Sequence, residues 1–299
     1  MLTPTYLKPG DLVALVATAR KINLIEIKPA VDLLESWGLI PVIGKTIGLE
    51  HHQFAGTEKE RIEDFQQFLD DTHVKAIWCA RGGYGSVQLI DQLDFNAFKK
   101  NPKWLIGYSD ITVFHSHIHN FGIETLHATM PINITVNTKS ALDSLKNCLM
   151  GNALSYKFKP GNNTVAGESR GQLVGGNLSV LYSLLGSKSA IQTNGKILLL
   201  EDLDEYLYHI DRMLQNIKRN GYFENLKGLI VGGMTQMKDN EVPYGKTAEE
   251  IIFSHVKEFG FPVVFNAPFG HIDDNRALIL GRTIELGVSE SQTSIIFQN

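Results

Sequence analysis

Uninterrupted apolar runs alternate, through the first half of the chain, with segments whose apolar residues recur every three or four positions. Leu12 to Ala17 is the first such run, as expected of a strand buried on both faces. The spacing then predicts a helix from about Leu24 to Trp37, ended by Gly38, and a strand from Leu39 to Ile43. Thr57-Glu58-Lys59-Glu60 is a capping-box pattern that opens a helix with Ile62, Phe65, Phe68 and Leu69 on one face. Val74 to Cys79 reads as the next strand, followed by the glycine-rich turn Arg81-Gly82-Gly83-Tyr84-Gly85-Ser86 and another helix. Lys103-Trp104-Leu105-Ile106 reads as a short buried strand, Gly107-Tyr108-Ser109-Asp110 as a turn, and Ile111 to about Asn120 as a helix, with a strand at Ile123 to Leu126. Strands alternating with helices predict an α/β fold with a parallel sheet covered on both faces. Ligands in such sheets sit at the carboxyl ends of the strands, where both Gly82-Gly83 and Ser109 fall.

The pattern changes after about residue 150. Asn152 to Gly176 has few helical signals and several Gly and Asn residues, which suggests a linker running into β-structure. Beyond it, strands are predicted at Lys196 to Leu200 and Leu226 to Val231, and helices at Tyr208 to Asn220 and Ala248 to Phe259. Short strands at Ala277 to Leu280, Thr283 to Leu286 and Ser294 to Phe297 close the chain. The division expected is an α/β domain over residues 1–150, a linker over 151–175 and a β-rich domain over 176–299, with no internal repeat.

Composition narrows the class. A chain of 299 residues is long enough for two domains with cores of their own. With 28 basic and 32 acidic side chains the net charge is −4, and no Lys or Arg run forms a nucleic-acid footprint. The amino terminus lacks the layout of a signal peptide, and no apolar stretch approaches a membrane span, so a cytoplasmic protein without a membrane partner is expected. Cys79 and Cys148 stand far apart without a C-x-x-C, indicating neither a disulfide framework nor a zinc knuckle.

Ser109 is the most informative single residue. A serine on the sharp turn between a strand and a helix has its hydroxyl pushed out at the edge of the sheet, and the amides after it are free to bind an anion. The competing reading is that Ser109 or Asp110 simply caps the helix, since the usual G-x-S-x-G is not met. A nucleophilic serine needs a base and a group that orients it. Among ten histidines, His271 has the best setting, on a loop after the strand Pro262 to Phe265. Glu201 directly follows Lys196-Ile197-Leu198-Leu199-Leu200, again at a strand's end, with Asp202, Asp204 and Glu205 as neighbours able to serve instead. The Gly82-Gly83-x-Gly85 turn lacks the spacing of a dinucleotide fingerprint, and no phosphate-binding P-loop occurs. It makes better sense as part of an oxyanion hole, with Gly82 or Gly83 and the amide of Asp110 converging on one oxygen. His115 and His119 share a helix face at ligand spacing with His117 between them, and Asp273 and Asp274 lie beside His271. A polar helix face and a solvated loop account for these as well, and neither a metal nor a cofactor is expected.

Taken together, Arg81-Gly82-Gly83-Tyr84-Gly85, Gly107-Tyr108-Ser109-Asp110-Ile111-Thr112, Leu200-Glu201-Asp202 and Gly270-His271 resemble the LD-carboxypeptidase family. These serine peptidases include murein tetrapeptide carboxypeptidases and microcin C immunity peptidases. The similarity runs from about Lys8 to Phe297, and Gly175-Gly176-Asn177-Leu178 also matches. The resemblance implies a Ser109–Glu201–His271 triad and an amino-terminal domain akin to class I glutamine amidotransferases. It also implies a β-rich carboxyl-terminal domain, a site at their junction and a homodimer. The expected activity is release of terminal D-alanine from murein tetrapeptides in cell-wall recycling. Cleavage of peptidyl-nucleotides is the alternative within the same chemistry, and a non-catalytic α/β ligand-binding protein the alternative outside it.

Overall fold

A computed structural model of the chain describes residues 1–298. The first strands and helices follow in the order β1 (Leu12–Val16), α1 (Leu24–Ser36), β2 (Ile40–Ile43), α2 (Glu58–Asp70), β3 (Val74–Cys79), α3 (Ser86–Leu89), α4 (Asn96–Lys100), β4 (Trp104–Gly107), α5 (Thr112–His119), β5 (Thr125–His127) and α6 (Lys139–Leu149). Then come β6 (Ser155–Phe158), β7 (Gly167–Asn177), α7 (Leu178–Ser183), β8 (Ile197–Leu203), α8 (Leu207–Arg219), β9 (Gly228–Thr235), α9 (Ala248–Val256), β10 (Val263–Val264), β11 (Leu278–Leu280), β12 (Thr283–Val288) and β13 (Thr293–Phe297).

The described residues form two sheets. The first has six strands in the order β11-β5-β4-β3-β1-β2; β2, β1, β3, β4 and β5 run parallel, and β11 runs antiparallel to β5. Every residue of β4 is buried. Trp104 and Ile106 pack with Ile27, Leu34, Leu145 and Leu149 of α1 and α6, while Leu105 packs with Phe65, Phe98 and Phe114 of α2, α4 and α5. Burial on both faces is why this strand reads as a continuous apolar run. The capping boxes form as their residues dictate: the Thr57 amide donates to Glu60 Oε2 at 2.7 Å, and Asn23 and Glu26 exchange the same pair of bonds ahead of α1.

The second sheet has seven strands in the order β10-β9-β8-β7-β12-β13-β6. Its β7–β10 half is parallel, and β12, β13 and β6 add antiparallel strands. A separate core of Leu198, Leu200, Ile210, Leu214, Ile251 and Phe265 joins this sheet to α8 and α9. Two details depart from the expected division. Residues 151–175 hold β6 and the greater part of β7, whose polar residues Glu168, Ser169 and Arg170 pair with β12. Leu278–Leu280, far along the chain, returns to the first sheet beside β5. The segment between β10 and β11 therefore passes from one sheet to the other, and it carries His271.

Candidate active site

The first sheet contributes Ser109. It follows β4, has φ of +63° and is 8% exposed. A non-glycine residue in the left-handed region is costly unless its surroundings hold it there; here the chain must reverse between a buried strand and α5. Gly82 faces it so closely that a Cβ there would lie 3.1 Å from Ser109 Oγ. The two turns are bound together by Asp110, whose Oδ2 accepts from the Ser86 amide at 2.8 Å. Burial pushes the Asp110 carboxyl's pKa up, against the pull of its bonds to Ser86 and the charge of Arg61. Arg61, itself buried, donates to the carbonyls of Thr18 at 2.9 Å and Gly85 at 3.3 Å, and to Gln88 at 2.9 Å. Among the described residues, the amides of Gly82, Gly83 and Asp110 donate to no other backbone group.

The second sheet contributes Glu201. Sequence spacing put it at the carboxyl end of a strand; β8 runs on to Leu203, and Glu201 is fully buried within it. Pairing with β9 is irregular between Leu200 and Asp202, which sets Glu201 apart from the regular ladder. Its Oε2 accepts from His271 Nδ1 at 2.5 Å. Burial alone would raise the Glu201 pKa, but the charge and hydrogen bond of His271 outweigh it and hold the carboxyl below its ordinary range. Burial alone would lower that of His271, and Glu201 reverses this and holds the imidazole above its ordinary 6.5.

The loop is built for this approach. A Cβ on Gly270 would lie within 2.6–2.7 Å of Glu201 Cβ, Cγ and Oε2, so only glycine fits. Asn275 Oδ1 accepts from the Gly270 amide at 2.8 Å, and the carbonyl of His271 accepts from Thr235 Oγ1 at 3.1 Å. The Tyr108 ring lies 4.8 Å from the His271 ring, bringing the imidazole against the residue next to Ser109. No hydrogen bond joins Ser109 Oγ to His271 Nε2 among the described residues; such bonds are often long before substrate binds and tighten in the complex.

The neighbouring carboxylates have other work. Asp202 accepts from Asn177 Nδ2 at 2.9 Å and from the Ser179 and Leu203 amides at 2.8 and 2.9 Å. Burial and the Glu201 charge push its pKa up to about 7. The Asn177 amide in turn donates to Thr112 Oγ1 at 3.0 Å, a bond that ties α5, just after Ser109, to the second sheet. Sequence reading singled out Gly175-Gly176-Asn177-Leu178 only as a match to the family, and the bond from the Asn177 backbone amide to Thr112, distant in the chain, has no local signal. Asp204 pairs with Lys238 and Glu205 with His209, each at 2.7 Å. Asp274 is held by Arg276 and by Thr138 Oγ1.

The three histidines of α5 diverge rather than converge. His115 bonds Thr125 Oγ1 and the Gly107 carbonyl, His117 bonds Ser189 Oγ, and His119 Nε2 takes a bond from Lys196. His115 and His119 are buried, so the polar helix face is also corrected. His127, one of the ten histidines considered as a base, is fully buried against Tyr108 with neither ring nitrogen partnered. A cavity of about 590 Å³ lies beside the loop and is lined by Ile272, Thr235, Gly233 and Asn266, not by Ser109 or His271 themselves.

A serine at positive φ beyond a parallel strand, facing a glycine turn, with an imidazole bound to a buried carboxylate packed against the tyrosine that precedes the serine, fits the class of serine hydrolases on an α/β scaffold. The chain belongs to the LD-carboxypeptidase family, serine-type carboxypeptidases: the family's N-terminal domain matches residues 13–128 and its C-terminal domain residues 170–286. A probable murein peptide carboxypeptidase of Bacillus subtilis is 32% identical, over 98% of this chain and 93% of its own length. The murein tetrapeptide carboxypeptidase of Pseudomonas aeruginosa is 29% identical, over 92% of each chain. The fold is shared with the muramoyltetrapeptide carboxypeptidase of Oxalobacter formigenes (TM-score 0.86, 24% identity, 96% of this chain and 99% of that one). It is shared as well with the microcin C7 self-immunity protein MccF bound to aspartyl sulfamoyl adenosine (TM-score 0.88, 23% identity, 100% and 99% coverage). Among the described residues no helix is long and apolar enough to cross a membrane.

Proposed function

We propose that the chain hydrolyses the LD-peptide bond of murein tetrapeptides, releasing the terminal D-alanine, with Ser109, Glu201 and His271 as its catalytic triad. The observation that carries this reading is the bond from His271 Nδ1 to the fully buried Glu201, beside a serine held at positive φ. His271 Nε2 takes the proton of Ser109 as Oγ attacks the scissile carbonyl. Glu201 keeps Nδ1 protonated and stabilises the imidazolium that forms. The amides of Gly82 or Gly83 and of Asp110 receive the oxyanion. Collapse expels the D-alanine amine, protonated by His271, and leaves an acyl-enzyme on Ser109; water, deprotonated by the same imidazole, then frees the shortened peptide and restores the serine.

The relatives named for murein peptides support this substrate, and the same reading places the enzyme in the cytoplasm as a homodimer that recycles wall fragments. The test is mass spectrometry of purified protein incubated with murein tetrapeptides ending in D-Ala or L-Ala, and with a peptidyl-nucleotide. Release of alanine from the D-Ala form alone, lost in Ser109→Ala, is expected. Cleavage of the peptidyl-nucleotide without release of D-alanine would replace this substrate by the immunity-type one.

A further inference from the structure

An enzyme that removes one residue from a peptide end must distinguish a terminal carboxylate from a continuing chain. Of the cations around the site, most are already engaged. Lys21 pairs with Glu50, Arg81 Nη1 donates to the Lys21 carbonyl at 3.3 Å, Arg61 is spent on carbonyls and Gln88, and Arg276 is held by Asp274. Arg20 differs. It lies beyond the carboxyl end of β1, beside the end of β3, and its amide donates to the Gly82 carbonyl at 3.4 Å. Its guanidinium has no hydrogen-bond or ion-pair partner among the described residues, and the residue is exposed.

Its position follows from the glycines. A Cβ on Gly83 would lie 2.3 and 2.5 Å from Arg20 Cδ and Cγ and 3.5 Å from Nε, so the side chain lies flat across Gly83. A Cβ on Gly82 would lie 3.1 Å from Ser109 Oγ. The guanidinium thus begins about one Cα step, ~3.8 Å, along the chain from the residue that touches the nucleophile. In a peptide whose last bond is cut, the terminal carboxylate also stands one Cα beyond the scissile nitrogen. A guanidinium presents paired N–H groups that match a carboxylate in two parallel hydrogen bonds.

We propose that Arg20 binds the terminal carboxylate of the departing residue, and so restricts the enzyme to the last peptide bond. This rests on the carboxypeptidase reading above. It makes Arg20 a specificity-determining residue on the same rim as the glycine turn, so that engaging the carboxylate seats the scissile carbonyl against the Gly82 and Gly83 amides.

The test compares wild type, Arg20→Gln and Arg20→Lys on a murein tetrapeptide with a free D-Ala carboxylate and on the same peptide as its D-alaninamide. Wild type is expected to favour the acid. Arg20→Gln should lose roughly 10–100-fold in kcat/KM on the acid, the span of a charge-assisted hydrogen bond, chiefly through KM, and lose much less on the amide, so that the preference for the acid collapses. Arg20→Lys should recover part of the loss. Labelling of Ser109 by a fluorophosphonate that carries no carboxylate should proceed in Arg20→Gln, showing an assembled site. Undiminished preference for the acid in Arg20→Gln would overturn the role of Arg20 and leave the carboxypeptidase reading standing. Failure of wild type to cut the D-Ala peptide at all would overturn both.

Discussion

Asp110 Oδ2 accepts from the Ser86 amide at 2.8 Å, and this one bond ties the turn that carries the nucleophile to the glycine turn facing it. Both contribute amides to the proposed oxyanion hole, so their separation sets how well two donors meet one oxygen. Asp110→Ala is expected to lower kcat by about 10²-fold or more, since a misplacement of ~1 Å costs that much. Asp110→Asn keeps one acceptor and should lose less. Steady-state kinetics on both variants check this; equal activity of Asp110→Ala and wild type would show that the bond does not position the turns.

The Glu201–His271 pair acts oppositely on stability and on rate as pH changes. Glu201 is held below its ordinary 4.5, so its contribution to stability is complete above that value and is lost as pH falls through its folded pKa. His271 is held above its ordinary 6.5, so its contribution is complete below that value and is lost as pH rises through its folded pKa. The stability gap between wild type and Glu201→Gln should therefore be widest between 4.5 and 6.5. General-base work needs neutral imidazole, so kcat/KM should rise with pH through a limb above 6.5. Glu201→Gln should lower kcat and move that limb to lower pH. Thermal melts and pH–rate profiles of the two proteins measure both effects, and an unmoved limb would remove Glu201 from its role.

Much of this site is legible in the sequence because its supports are local. The strand before Ser109 is a continuous apolar run, and the helix after it keeps its period. What escaped reading depends on partners distant in the chain. Nothing in Leu278–Leu280 tells that it pairs with β5, since its partners Thr125–His127 lie in the other half of the sequence. The polar stretch Glu168–Arg170 became strand because β12 supplies its ladder. The sequence shows Glu201 at the end of an apolar run, but its burial depends on chain that approaches from Gly270 and Gly232. The helix Lys139–Leu149 was a different kind of miss: its Thr138 cap and buried Ala141, Leu145, Cys148 and Leu149 stand at helical spacing, a local signal left unread.

Metal removal should leave the enzyme active. His115 bonds Thr125 and the Gly107 carbonyl beside the first sheet, while His117 and His119 bond Ser189 and Lys196 farther along the chain, so binding one ion would require breaking bonds to all of these separate partners. Dialysis against a chelator followed by the D-alanine release assay checks this. Activity abolished by the chelator and restored by zinc would mean that these side chains rearrange to bind it.

Gly82 separates the effect of crowding the nucleophile from that of straining the backbone. An alanine Cβ there would lie 3.0 Å from Ser109 Cβ and 3.1 Å from its Oγ, closer than unbonded atoms ordinarily sit. Gly82 is not among the residues at positive φ, whereas Gly83, at +107°, is. Alanine at position 82 therefore avoids the positive-φ penalty that position 83 carries, and by restricting the unfolded chain it offsets about 0.4–1 kcal/mol of the cost of crowding. Ser109 cannot retreat without leaving the turn that β4 and α5 impose, so the added methyl must shift either the serine or the glycine amides. Gly82→Ala is expected to melt within a few degrees of wild type while kcat falls by about 10²-fold, and Gly83→Ala to lose stability as well, from its own φ. Melting curves and kcat measured together on the two variants decide it: full turnover in a well-folded Gly82→Ala protein would mean that Ser109 reacts from a position other than the one this turn gives it.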